Sequence, residues 1–121
     1  MEKKTEKHAR ESLLYLKNAS KFVDAGNVEK ASEFLWGSMA QALKAVAASK
    51  GIYLRNHRQI WSYAEGLAKE LEDNTIYAAF VQANFLHTNF YECELEMKDV
   101  RRMAEEIKVA VGKLLKLISE S

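Results

Sequence analysis

The chain has 121 residues and a mass of 13.8 kDa, with 48% hydrophobic residues, 29% charged residues and no proline. That length suits one domain, residues 1–121, with enough chain to bury a core; the composition excludes a Pro-rich disordered tract and, with five glycines, a collagen-like chain. Eighteen Lys and Arg against seventeen Asp and Glu leave a net charge of +1, which argues against a dedicated basic nucleic-acid binder but permits a local basic patch.

Cys93 is the single cysteine, so no internal disulfide and no thiolate zinc site is expected, and a reducing cytoplasm is the natural setting. No apolar run approaches the roughly eighteen residues that span a bilayer. The start, Met1-Glu2-Lys3-Lys4-Thr5-Glu6-Lys7-His8, is charged and leads into an amphipathic stretch, unlike a signal peptide. The expectation is a soluble protein without membrane contact.

Ala9, Leu13, Leu16, Ser20 and Val23 recur at helical spacing and predict a first helix from about Lys3 to Asp24, closed by Gly26. Asn27 is a suitable cap for a second helix, Val28 to about Lys50, and the short joint predicts an antiparallel hairpin. The second helix is apolar nearly all round, which places it centrally. After a loop from Gly51, Asn56 caps a third helix over about His57–Leu71, and Asp73-Asn74 turns the chain into a fourth, about Thr75 to Tyr91. Beyond a polar linker, Val100, Met103, Ile107, Ala110, Leu114 and Leu117 mark a last helix from about Lys98 to Ser119. The fold class predicted is all-α, an up-and-down bundle of about five helices.

Chemistry-bearing residues fall in three places. On the fourth helix His87 shares a face with Ile76, Ala79, Phe80 and Ala83, flanked by Asn84 and Tyr91. Buried polar groups need partners, so these three predict either an internal hydrogen-bond network or a lined pocket. Arg55, His57 and Arg58 gather at the start of the third helix, where the guanidinium groups and the helix N-terminus suit a phosphate; the same cluster also reads as ordinary surface. Lys3, Lys7, Arg10, Lys17 and Lys21 line the first helix opposite its apolar stripe, as a solvated face does. Trp36 and Trp61 lie on apolar faces and read as core rather than as stacking platforms.

Several chemistries fail on spacing. A di-iron bundle needs Glu-x-x-His pairs, and the residues three before the histidines are Thr5, Leu54 and Asn84. No nucleophile motif and no Gly-rich phosphate loop is present. No catalytic residue, metal or cofactor is therefore expected.

The stretch Gly26-Asn27-Val28-Glu29-Lys30-Ala31-Ser32-Glu33-Phe34-Leu35-Trp36-Gly37-Ser38, running on to Gly51, resembles the second helix of HEPN-type domains. Together with Leu86-His87-Thr88-Asn89-Phe90-Tyr91-Glu92 it resembles the archaeal PaREP1 family, small HEPN-like helical proteins, over about residues 10 to 118. The resemblance implies a HEPN-like four-helix core and a nucleotide- or RNA-associated binding module, with His87, Asn89, Tyr91 and Glu92 as ligand contacts beside Arg55, His57 and Arg58. HEPN ribonucleases carry an arginine followed by a histidine with four to six residues between. Here only Asn56 separates Arg55 from His57, so a ribonuclease is the least favoured reading. An alternative is an interaction subunit that docks on a separately encoded enzyme such as a small nucleotidyltransferase. A homodimer is expected through helix packing, because Val81 and Phe85 form a second apolar strip and the surface around Gly37 is made of small residues.

Overall fold

The computed structural model describes residues 3–89 and 95–120, with Asn89 and Glu120 described by backbone alone. Five helices make up these residues: α1 (Lys3–Asp24), α2 (Val28–Ser49), α3 (His57–Leu71), α4 (Asn74–Asn89) and α5 (Met97–Glu120). No strand occurs among them.

The joints follow local chemistry. Gly26 takes φ +74°, a left-handed conformation that costs a Cβ-bearing residue energy, and lets Asn27 N–H reach back to the Phe22 carbonyl. Asn27 Oδ1 then accepts the Lys30 amide at 3.0 Å and starts α2. Asn56 does the same for α3 through the Gln59 amide at 2.9 Å. At the end of α3 the left-handed position falls on Glu72 (φ 53°), a residue that pays no such conformation cheaply. Asp73 caps α4: its carboxylate accepts from the Thr75 amide and hydroxyl and from Lys113 Nζ of α5. Those bonds, with Thr75 the strongest contributor and Lys113 next, hold the Asp73 carboxyl below its usual range.

Helix directions alternate. His8 meets Gln41 while Ser12 meets Ser38, so residues ascending α1 face residues descending α2. Lys113 meets Thr75 while Glu106 meets Gln82, which makes α4 and α5 antiparallel as well. Helix α2 packs on all four others and supplies the centre of the core with Leu35, Met39, Leu43 and Val46, all essentially inaccessible. Phe80 and Leu86 of α4, and Ile107, Val111 and Leu114 of α5, close over it.

The α1–α2 seam is tight because its residues are small. Ser12 Oγ donates to the Ser38 carbonyl and Ser38 Oγ to the Ser12 carbonyl, each at 2.8 Å, in a fully buried reciprocal pair. One turn along, the Tyr15 ring lies over Gly37 so closely that a Cβ there would sit 2.9 Å from Tyr15 Cδ2. The small-residue surface around Gly37 is thus covered by α1, contrary to the expectation that it stands free for another subunit. A hairpin partner that brings an aromatic ring was not accounted for.

The lysine face of α1 is exposed, as expected of a solvated surface. No helix among the described residues is long and apolar enough to cross a membrane.

Candidate functional site

Three helices bring aromatic and imidazole rings together at one end of α3. The Asn56 cap sets the first turn of α3, and with it His57, beside the middle of α2. There Trp36, half-buried against the core, stacks on His57 (centroids 5.2 Å apart, planes 30°). The last turn of α4 delivers His87 to the same indole, at 4.7 Å and 15°. The two imidazoles lie 6.2 Å apart and nearly parallel. Trp61 and the fully buried Phe80 form the layer beneath: Phe80 meets Trp61 edge-on at 5.2 Å and Trp36 at 5.8 Å. Such ring contacts add about 0.5–1.5 kcal/mol each beyond area burial.

Sequence spacing placed His87 near the middle of a buried stripe. Ile76, Ala79, Phe80 and Ala83 are indeed buried, but His87 is exposed at the end of that stripe, with the Trp36 indole against one face of its ring. The His87 pKa lies below the usual value, first through desolvation, then through the neighbouring His57, with Glu33 pulling weakly the other way. The internal hydrogen-bond network does not form among the described residues: His87 stacks, and Asn84 Oδ1 is buried without a hydrogen-bond partner. Tyr91 and Glu92, and the side chain of Asn89, lie outside the described residues.

Arg55, His57 and Arg58 are brought to the same end of the molecule as His87. Arg55 is exposed in the loop before α3, its backbone N–H bonded to Gln59 Oε1 at 2.7 Å. Arg58 is exposed on the outer face of α3 and, with His57, Trp61, Ser62 and Glu65, lines an open groove of about 590 Å³. An anion there meets Arg58 and His57 beside the N-terminal end of α3, where the helix field favours negative charge. The opposing charges are Glu65 in the groove and Glu33 near His87. No cluster of three or more His, Cys, Asp or Glu able to hold a metal occurs among the described residues. The arrangement suits stacking and anion contact.

The reading of Trp36 and Trp61 as core holds, and the structure adds ring neighbours that it did not anticipate. Both do touch the core, but each also presents a face to a histidine. No local pattern announces this, because the partners come from three helices. A second cleft, about 410 Å³, lies between α1, α2 and α5, with Arg101, Glu105 and Lys108 over Leu16 and Leu35; it holds mixed charge and none of the predicted site residues.

A search of the curated proteins finds no match. Among solved structures, the crystal structure of a protein from Sulfolobus solfataricus matches with a TM-score of 0.73 at 18% identity, covering 91% of this chain and 94% of that one. The two share a fold. The model of the archaeal PaREP1/PaREP8 family matches residues 7–111, which is most of the bundle and includes α2, α3, the Trp36–His57–His87 stack and the stretch that ends α4. The chain belongs to the archaeal PaREP1/PaREP8 family.

Proposed function

We propose that this protein is a non-catalytic, HEPN-like binding module for nucleotides or RNA, with its site at the His57–Trp36–His87 platform. The observation that carries the reading is the stacking of two histidines from different helices on one half-buried indole, beside an exposed arginine. Flat, rigid ring surfaces accept a base, and Arg58 with Arg55 accepts phosphate without demanding a particular sequence. The near-neutral net charge limits the affinity that backbone electrostatics supplies, so binding is modest and salt-sensitive. Calorimetric titration of mononucleotides and short RNA at low salt tests this. Binding that weakens in Arg58→Ala and Trp36→Leu is expected, and no heat at millimolar ligand sinks the reading. Metal-independent RNA cleavage that disappears in His57→Ala or His87→Ala would overturn the non-catalytic part.

A second reading, an interaction subunit that docks on a separately encoded enzyme, is favoured by a different observation. Val81 of α4 and Val109 of α5 are 38% and 56% exposed, and Phe85 beside them is half-buried. The antiparallel register of α4 and α5 puts these residues on one outer face. The same face suits a homodimer by helix-on-helix packing, the commonest closed assembly. Light scattering is expected to give twice the mass of one chain at micromolar concentration, and Phe85→Glu is expected to return it to one.

A further inference from the structure

The outer face of α3 carries a ridge with a groove on either side. Arg58 and Ser62, one turn apart and both exposed, form the ridge. On one side lies the groove of about 590 Å³ with His57, Trp61 and Glu65. On the other, Ile52, Tyr53 and Leu54 of the loop before α3 line a shallow, open groove of about 550 Å³ together with Gln59 and Tyr63. Arg58 and Ser62 line both. Each groove therefore offers ring surface, and the cation stands between them. The second groove is also the more basic at its rim, because Lys4 of α1 sits with its ammonium 4.4 Å from the Tyr53 ring.

An independent feature points to a ligand in the second groove. Tyr63 Oη is buried and has no hydrogen-bond partner. Burial, and then Glu70, hold that phenol above its usual pKa, so it stays a neutral donor under all ordinary conditions. Buried hydroxyls normally find a partner; this one lies beneath the groove's surface, where an acceptor satisfies it once the ring turns outward.

Resting on the nucleotide reading of the first groove, we propose that the ligand is a single-stranded oligonucleotide at least two nucleotides long, draped across the Arg58 ridge. One base lies against His57 and Trp61, the next against Tyr53, and the linking phosphate contacts Arg58. With its ring turned outward, Tyr63 Oη donates to an acceptor on the second nucleotide. Stacking on either side of a fixed cation reads chain continuity rather than base identity, as single-strand binders do. A mononucleotide fills only half of this surface.

The test compares adenosine monophosphate with the dinucleoside monophosphate ApA by calorimetry at low salt, on the full chain and on Tyr53→Ala and Tyr63→Phe. ApA is expected to bind about tenfold more tightly than the mononucleotide, since one more base stacks. Tyr53→Ala is expected to bring ApA down to the mononucleotide's affinity while leaving the mononucleotide unchanged. Tyr63→Phe removes only an unpaired hydroxyl, so the melting temperature is expected to hold or rise while ApA binding weakens several-fold; a merely structural hydroxyl would leave ApA unaffected. Equal binding of the two ligands, with both variants silent, overturns the two-groove proposal and leaves the nucleotide site standing. No binding of either ligand overturns both.

Discussion

Gly37→Ala sets two known effects against each other, and the structure decides the sign. In an open helix the change stabilises by about 1 kcal/mol, because glycine is the poorer helix former. Gly37, however, lies under Tyr15: the new methyl would stand 2.9 Å from ring Cδ2 and 3.3 Å from Cε2. Ordinary contact begins near 3.4 Å, so the ring or the helix must yield by about half an ångström. Neither yields easily. The Tyr15 ring leans on Phe34, which is stacked on Phe22, and the reciprocal Ser12–Ser38 bonds clasp the two helices within one turn of the contact. Overpacking of this kind costs about 1–3 kcal/mol. The net effect expected is destabilisation by about 1 kcal/mol, or about 4 °C in Tm for a chain of this size. Urea denaturation of Gly37→Ala alone, and again in a Tyr15→Ala background, separates the terms. Once the ring is gone, the same substitution is expected to stabilise by about 1 kcal/mol. Equal stabilisation in both backgrounds would refute the reasoning, since it would mean that Tyr15 never constrained the site.

Ser12→Ala and Ser38→Ala are each expected to cost about 1 kcal/mol, the net worth of a buried neutral hydrogen bond. The two hydroxyls also lie 3.4 Å from one another in one buried network, so the double mutant measured by urea denaturation should depart from additivity by about 0.5 kcal/mol or more. Glu72→Gly is expected to raise stability by about 1 kcal/mol in thermal melts, because Glu72 alone among the described non-glycine residues sits at positive φ; a lowered Tm would contradict this. In a Trp61→Phe, His57→Gln variant the fluorescence of Trp36 should report His87 alone, since an imidazolium stacked on indole quenches it. Its folded pKa is depressed, so emission should stay high as pH falls through about 6.5 and drop only below that value. The unfolded chain takes up its proton first, so stability should decline as pH falls from about 6.5 toward the folded pKa and then level off, with no contribution from His87 above neutrality. Quenching centred above pH 6.5 would show that His87 is not desolvated by Trp36.

Local chemistry in the chain determined the helices and their joints. Residue periodicity marked all five, and Asn27, Asn56, Gly26 and Gly51 placed their ends within a residue or two, because caps and left-handed positions depend on a few adjacent atoms. The apolar girth of the second helix likewise predicted its central place, a consequence of having more apolar surface than one neighbour can cover. Arg55, His57 and Arg58 were legible as a cluster because they are contiguous. What the rings do was not legible. His57 and His87 are thirty residues apart and meet only because α3 and α4 run antiparallel against the same side of α2, so neither histidine carries a local sign of the Trp36 indole on which both stack. The same holds for Gly37, whose smallness reads as open surface until α1 lays Tyr15 across it. Sequence determined what each helix is; only tertiary packing decided which rings share a platform and which face of α1 is buried, where Leu13 of the expected apolar stripe stands 55% exposed while Thr5, Ser12 and Ala19 are inaccessible, because both depend on distances between helices that no local spacing encodes.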